Sequence, residues 1–237
     1  MSQDNVAAAR VTVTRRLPRR GTLICLLGID GSGKSTQAAV LVRSLREQDI
    51  PAIHTWVRWK PILMLPVRFL GRILVRRRGA GSQTHDYEGF TESKREILRG
   101  RLQATLWKHL TLLEHAIQVF FKVRIPMAMG RTVVADRYVY DTLIDLSVNL
   151  DREPTELLKE PLLRLFPVPN LSILLDVNPR VGAERKSDGT PEAYLVERRA
   201  LYRSLSDTLG MEEVDAERSP MEVETEIRRR IWKRMGF

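Results

Sequence analysis

Nine consecutive residues, Gly28 to Thr36, have the composition and spacing of a loop that binds phosphate groups. They read Gly-Ile-Asp-Gly-Ser-Gly-Lys-Ser-Thr and fit the pattern G-x-x-x-x-G-K-[ST]. Its glycines allow a tight turn whose backbone N–H groups approach phosphate oxygens. Lys34 is placed to reach the terminal phosphates and Ser35 to bind Mg²⁺. The residues predicted to hold a nucleotide are Gly28, Asp30, Gly31, Ser32, Gly33, Lys34, Ser35 and Thr36.

The residues around the loop predict the strand and the helix that such a loop must join. Residues 22–27 form a continuous apolar run, which is typical of a parallel strand buried on both faces. After the loop, apolar residues recur at helical spacing as far as Leu45, before Asp49 and Pro51 end the pattern. This order favours a phosphate-binding loop over the alternative, a glycine-rich turn that binds nothing.

The composition limits the class of protein and its partners. The 237 residues predict one domain, residues 22–237, after a basic N-terminal tail, residues 1–21, that lacks the apolar segment of a secretory signal. A single cysteine, Cys25, excludes a disulfide framework and agrees with a cytoplasmic location. The net charge of +10 favours anionic partners such as nucleotides. Nucleic acid is not indicated, because no helix-turn-helix, zinc or aromatic RNA-binding signature is present.

Short apolar segments alternate with helical patterns along the rest of the chain. Further strands are predicted at residues 50–57, 132–135, 171–175 and 212–214. Helices are predicted at residues 91–123, 140–149, 154–166, 192–209 and 220–235. The alternation predicts an α/β fold, with a doubly wound, parallel five-stranded sheet flanked by helices.

Two helical segments carry large apolar residues. In the long helix, an apolar stripe is interpreted as core; it consists of Trp107, Leu110, Leu113, Ile117 and Phe120. In residues 61–78, arginines one helical turn apart lie beside apolar residues, which predicts a basic amphipathic helix. That helix could bind the substrate, dock on an anionic membrane surface, or only face solvent.

Asp136 and Asp176 each follow a predicted strand, at the edge of a parallel sheet where ligands bind. Beside a phosphate-binding loop, Asp136 can orient Mg²⁺ or its water shell. The adjacent Arg137 can grip a phosphoryl oxygen with two N–H groups. The alternative for this Asp-Arg pair is a surface ion pair. Its place at a strand end favours phosphoryl chemistry.

This ordered set of motifs resembles the thymidylate kinase family of P-loop nucleoside monophosphate kinases, over residues 22–232. The matching motifs are the loop with Asp30 in third position, Asp136-Arg137-Tyr138, Leu175-Asp176-Val177-Asn178-Pro179 before Arg185, and Arg199 with Tyr202. The resemblance implies transfer of the γ-phosphoryl group of ATP to a nucleoside monophosphate, with dTMP converted to dTDP as the first expectation. It also implies a short LID, the segment that closes over the reacting phosphates, and a homodimer.

The same resemblance assigns roles to individual residues. Lys34, Asp30, Arg137 and Arg185 are the expected catalytic residues, and Ser35 and Asp136 the expected Mg²⁺ ligands. Arg137 and Tyr138 are expected to bind the acceptor. Two further candidates for the acceptor side are Arg58, for its phosphate, and Trp107, for stacking, although Trp107 also fits the core.

The sequence departs from the family pattern on the acceptor side. Residues 55–61 read Thr-Trp-Val-Arg-Trp-Lys-Pro where the family has Glu-Pro-Gly, and residues 111–116 lack the Phe and Arg that read thymine. Asp141 stands where a small hydroxyl residue is expected, and its charge would repel an anionic acceptor unless it is paired. Two alternatives therefore stay open: a kinase of the same scaffold for another phosphorylated or membrane-associated acceptor, and a nucleotide-binding ATPase.

Overall fold

One all-parallel sheet organises the molecule. The computed structural model describes residues 21–61, 100–186 and 190–235. The sheet order is β2-β3-β1-β4-β5. The strands are β1 (Leu23–Leu27), β2 (Ala52–Trp56), β3 (Thr132–Asp136), β4 (Leu171–Asp176) and β5 (Glu212–Asp215). β1 is buried along its whole length, as its apolar run predicts.

Helices surround this sheet, which confirms the predicted α/β fold class. They are α1 (Lys34–Arg46), α2 (Arg101–Val119), α3 (Ile125–Ala128), α4 (Val139–Leu150), α5 (Pro154–Leu157), α6 (Pro179–Glu184), α7 (Glu192–Leu209) and α8 (Pro220–Met235). A π-helical turn, Phe120–Arg124, joins α2 to α3, and a 3₁₀ turn covers Pro161–Leu165. Among the described residues, none of the helices has the length and apolar character to cross a membrane.

Several predictions fall on residues that the structure does not describe. They are the tail over residues 1–20, the basic segment after Pro61 and the first part of the long helix, up to residue 99. Gly21, the last residue of the predicted tail, lies within the described part. Its N–H donates to the Met127 carbonyl at 3.1 Å, so the packed domain includes this residue.

The region before β4 differs from its prediction. Instead of one helix over residues 154–166, the chain forms α5 and then the 3₁₀ turn. Pro161 begins that turn; since proline has no N–H and clashes with the preceding turn, it cannot continue a helix from α5. The short helix α6, which follows β4, was not predicted from the sequence.

The interpretation of the apolar stripe on α2 as core is wrong. Leu110, Leu113, Ile117 and Phe120 are 42%, 48%, 43% and 49% exposed, and Trp107 is only partly buried. A second apolar face of α2 is buried instead, against α4 and the 3₁₀ turn. Its buried members are Leu112, Ala116 and Val119. Because α2 is apolar on two faces, helical periodicity alone could not identify the inner one.

Candidate active site

The loop between β1 and α1 turns on glycines that adopt left-handed or otherwise positive φ. Gly28, Gly31 and Gly33 have φ of 137°, 81° and 85°, values that L-residues with a Cβ rarely adopt. At Gly31 a Cβ would lie 2.1 Å from the Gly182 carbonyl oxygen, so the loop packs directly against the backbone of α6. No side chain caps the start of α1, which leaves its first N–H groups directed toward an anion site.

The Lys34 side chain is buried against the phosphate-binding loop. Its ammonium group donates to the Ile29 carbonyl at 2.6 Å and to the Ser32 hydroxyl at 3.2 Å. Burial, with the charge of Arg137 nearby, lowers the pKa of Lys34 to about 8. A phosphate group would offer this cation an anionic partner, as the loop motif requires.

Ser35, at the start of α1, contacts Asp136, the last residue of β3. The Ser35 hydroxyl donates to Oδ2 of Asp136, and the carboxylate is almost completely buried. Oδ1 of Asp136 has no hydrogen-bond partner among the described residues. A buried, unsatisfied carboxylate oxygen is costly, and a cation would satisfy it. The two residues therefore fit Mg²⁺, which takes its other ligands from water and substrate phosphates.

Arg137 lies beside the loop in a conformation that arginine rarely adopts. Its φ is 70°, and its N–H donates to the Leu26 carbonyl at 3.1 Å. The buried guanidinium donates to Asp30 of the loop and, at 2.8 Å, to Asp141 of α4. Burial lowers the pKa of Arg137, but Asp141 and the other anionic neighbours raise it above its ordinary value. Arg137 is thus a cation that Asp30 and Asp141 hold in place beside the loop.

Asp141, the acidic residue that departs from the family pattern, is fully paired. It accepts hydrogen bonds from Arg137, from the backbone N–H of Tyr138 at 2.9 Å, and from the Tyr202 hydroxyl. Burial raises the pKa of Asp141, but the charge of Arg137 and these hydrogen bonds outweigh it and hold the pKa below its usual value. Its charge is therefore neutralised within the site and need not repel an anionic acceptor.

A second cluster of charges lies next to Arg137. Arg58, just after β2, donates to Asp145 of α4 at 3.4 Å, and Arg198 of α7 donates to the same carboxylate. Burial lowers the pKa of Arg58, but Asp145 raises it above its ordinary value, and Arg137 is close enough to act on it. The guanidinium carbon of Arg198 lies 4.6 Å from the ring centre of Tyr194. The predicted acceptor residue Arg58 is thus held beside the loop.

Three of the predicted site residues contact other parts of the protein. The Tyr138 ring is completely buried and its hydroxyl donates to the Pro167 carbonyl at 2.7 Å, so a substrate-binding role for this side chain does not fit its position. Trp107 packs edge-to-face on Trp59, with ring centres 6.0 Å apart, and contacts the core. Arg185 donates to the Ala216 carbonyl at 2.8 Å.

Asp30 and Asp176, the two remaining acidic candidates, have different surroundings. Besides Arg137, Asp30 faces Lys186, whose ammonium lies 3.8 Å away and which follows Arg185 at the start of the predicted LID. Asp176 accepts two hydrogen bonds of 2.7 Å from Arg199 and one of 2.7 Å from Arg203. Asp176 therefore anchors α7 to β4 and lacks the free oxygen that distinguishes Asp136.

Sequence reasoning missed Asp145 and Arg198, although a signal was present. Asp141 and Asp145 are four residues apart, as are Arg198 and Tyr202, so each pair lies on one helix face. Nothing in the sequence shows that these two faces meet.

Curated relatives of the chain are named as thymidylate kinases. The chain is 28% identical over 162 residues to a thymidylate kinase of Leptospira borgpetersenii and 28% over 166 residues to a probable thymidylate kinase of Metallosphaera sedula. These matches cover 68% and 69% of the chain but only 65% and 64% of the relatives. A probable thymidylate kinase of Methanothermobacter thermautotrophicus matches at 28% over 226 residues, 90% of the chain and 96% of the relative.

No protein-family model matches the chain. The relatives that cover most of its length are nevertheless named probable thymidylate kinases. That name is consistent with the motifs and with the all-parallel sheet. At 28% identity the similarity supports a relationship to the thymidylate kinases and a kinase-like phosphotransferase scaffold.

Proposed function

We propose that the protein transfers the γ-phosphoryl group of ATP, with Mg²⁺, to a nucleoside monophosphate, and that dTMP, converted to dTDP, is the first acceptor to test. The proposal rests on the loop motif, on the fold and on relatives named thymidylate kinase. ATP would supply the phosphoryl group and Mg²⁺ would neutralise the phosphate charge.

One observation carries the proposal: Arg137 contacts the phosphate-binding loop and lies near Arg58, the predicted acceptor residue. The Arg137 guanidinium contacts Asp30 of the loop, and its charge acts on Arg58. A nucleotide bound at Lys34 would not by itself reach Arg58. A nucleoside monophosphate kinase must bring two phosphate groups together, and it does so largely by positioning and charge neutralisation. A fixed cation between two binding sites suits that task.

The roles of the side chains follow from their positions. Lys34 and the N–H groups at the start of α1 would hold the donor phosphates, with Ser35 and Asp136 at the metal. Arg137 would hold oxygens of both the donor and the acceptor phosphate, and Arg58 the acceptor phosphate alone. Arg185 and Lys186 would close with the LID and exclude water from the reacting group.

The test is ADP formation from ATP and Mg²⁺ with a panel of acceptors: dTMP, the other deoxyribonucleoside and ribonucleoside monophosphates, and sugar phosphates. We expect ADP formation that depends on a nucleoside monophosphate and disappears in Lys34→Ala. ADP formation with none of the nucleotides, but with another phosphorylated compound, would reject the nucleoside acceptor. ADP formation independent of any acceptor would indicate an ATPase.

A second candidate, a kinase for a different phosphorylated acceptor, is favoured by the cluster around Asp145. Arg58 and Arg198 both pair with this carboxylate, and Trp107, the residue considered for stacking on a base, contacts Trp59 instead. An acceptor side built from charges suits a strongly polar molecule. The sugar phosphates in the acceptor panel test this candidate.

We also propose that the exposed apolar face of α2 forms a two-fold contact between two copies of the chain. Exposed apolar patches of this kind mark interaction sites, and one helix face can pair with itself around a two-fold axis. Ile117 lies in this face and Phe120, the first residue of the π-helical turn, continues it; both are nearly half exposed.

Light scattering after size-exclusion chromatography tests the dimer. Ile117→Glu should give a monomer, because it would bury two carboxylates against apolar side chains. Met221→Glu, a matched change at an exposed residue of α8, should leave the dimer intact. A wild-type protein that is monomeric at all concentrations would refute this contact.

A further inference from the structure

Helices α4 and α7 are joined by two polar contacts one helical turn apart. On α4 the carboxylates are Asp141 and Asp145; on α7 the partners are Tyr202 and Arg198. Both pairs have a spacing of four residues, so each lies on one helix face. The contacts therefore form two parallel rungs, Asp141–Tyr202 and Asp145–Arg198, between the helices.

The first rung holds Arg137. Asp141 is buried and accepts from the Arg137 guanidinium at 2.8 Å, while its other fixed contacts are the Tyr138 N–H and the Tyr202 hydroxyl. A carboxylate held from three sides has little freedom to move. It therefore fixes one side of the Arg137 guanidinium, and Asp30 of the loop contacts the other side.

The second rung holds Arg58. Asp145 lies between Arg58 and Arg198; Arg198 is buried and in contact with the Tyr194 ring, whereas the Arg58 side chain is 30% exposed. The contact from Arg58 is long, at 3.4 Å. Arg198 thus fixes the carboxylate, and the carboxylate orients an arginine that stays accessible to a ligand.

We propose that Tyr202 and Arg198 are positioning residues, each of which sets a different substrate arginine through one carboxylate of α4. Tyr202 acts through Asp141 on Arg137, and Arg198 acts through Asp145 on Arg58. This inference rests on the proposed function and deepens it. It assigns the two rungs to two separable steps: the transfer itself, through Arg137, and acceptor binding, through Arg58.

The assignment predicts that the two rungs affect different kinetic constants. Tyr202→Phe keeps the ring and removes the hydroxyl, so it should lower kcat about tenfold and change the acceptor KM by a smaller factor, since Arg137 also holds the acceptor phosphate. Arg198→Met should raise the acceptor KM about tenfold, with kcat and the ATP KM nearly unchanged. Arg198→Lys, which keeps the charge on Asp145, should recover part of the loss.

A matched control separates positioning from general damage to the fold. Tyr140→Phe removes the hydroxyl of a different tyrosine, which is partly buried and packs against the core outside both rungs. It should leave kcat and both KM values at their wild-type level. If Tyr202→Phe and Arg198→Met mainly changed the same kinetic constant, or if neither differed from Tyr140→Phe, the assignment of the rungs would be overturned.

A second measurement does not require activity. In protein labelled with ¹⁵N-arginine, the Nε–H signals of Arg137 and Arg58 can be assigned with Arg137→Lys and Arg58→Lys. Tyr202→Phe should shift or broaden the Arg137 signal and leave that of Arg58; Arg198→Met should do the reverse. If both signals move in both variants, or neither moves, the proposal is rejected. Absence of transfer to any acceptor in the wild type would instead reject the proposed function.

Discussion

The proposed donor side and the proposed acceptor side of the candidate site are built in different ways. Apart from Asp136 at the proposed metal site, the donor side is one continuous segment, the loop and the start of α1. Its groups are mostly backbone N–H groups and the ammonium group of Lys34. The acceptor side brings together side chains from the end of β2, from α4 and from α7. A motif can specify the first, whereas only the folded chain can assemble the second.

The difference extends to how charge is stabilised. On the donor side, the buried cation of Lys34 has neutral oxygen partners at hydrogen-bond distance, so it is disposed to accept an anion. On the acceptor side, Arg137 and Arg58 already contact carboxylates, and a substrate phosphate must compete with these or add to them. The donor side should therefore bind tightly and with little selectivity, while the acceptor side should discriminate.

The largest expected effect is the loss of transfer in Lys34→Ala. Removing the cation that contacts the donor phosphates should lower kcat by roughly 10²- to 10³-fold, because the loop has no second ammonium group to replace it. Steady-state ADP formation at saturating acceptor measures this. Lys159→Ala, at a lysine after α5, is a control that should keep wild-type activity. A Lys34→Ala enzyme with more than a tenth of wild-type kcat would contradict the proposed donor site.

A second prediction concerns the stability of the folded protein in acid. It involves His115, which contacts α4, the helix that carries Asp141 and Asp145. His115 is buried, contacts Thr142 of α4 at 2.9 Å, and its pKa is lowered to about 4 by burial. Above pH 6.5 the imidazole is neutral in both states. As the pH falls from 6.5 toward 4 only the unfolded chain gains the proton, so stability decreases, by about 3 kcal/mol for this one group.

Urea unfolding at pH 7 and pH 4.5 checks this prediction. The His115→Gln variant has no titrating imidazole at this position and should lose about 2 kcal/mol less than the wild type over the same interval. An equal pH dependence of the free energy of unfolding in the two proteins would show that His115 is not the group responsible.

Arg58→Ala should produce a smaller and more selective effect. If Arg58 binds the acceptor phosphate, its loss should raise the acceptor KM by about 10- to 30-fold and leave the ATP KM nearly unchanged. Arg152→Ala, at an arginine after α4, is the matched control. Equal increases in both KM values would show that Arg58 does not distinguish the acceptor from the donor and would remove the contrast between the two sides.

The sequence predicted those features of the structure that adjacent residues determine, and missed those that depend on contacts between distant residues. The loop, the strand before it and the helix after it were predicted, because adjacent residues determine them. The inner face of α2 was not, because two of its faces are apolar. Asp141 could be identified as unusual from the sequence, but not its pairing with Tyr202, 61 residues away. The polar contacts that shape the acceptor side join distant parts of the chain and leave no periodic pattern.

The smallest expected effect is the pH dependence of nucleotide binding at the donor side. Because burial lowers the pKa of Lys34 to about 8, a growing fraction of the free protein carries a neutral amine above that pH. The affinity for ATP should therefore fall several-fold between pH 7.5 and 9.5. Isothermal titration calorimetry measures this affinity. Lys34→Met should bind ATP more weakly, and its affinity should change little over this pH interval. A constant wild-type affinity up to pH 9.5 would show that Lys34 keeps its charge.

Direct transfer between two phosphate groups, one held by each side, can be tested in a single-turnover experiment. ATP labelled with ³²P in the γ position is mixed with excess protein, Mg²⁺ and an acceptor from the panel, and the products are separated after a single turnover. We expect the label in the phosphorylated acceptor, with dTDP formed from dTMP as the first case. Label found only in inorganic phosphate, with every acceptor tested, would contradict it.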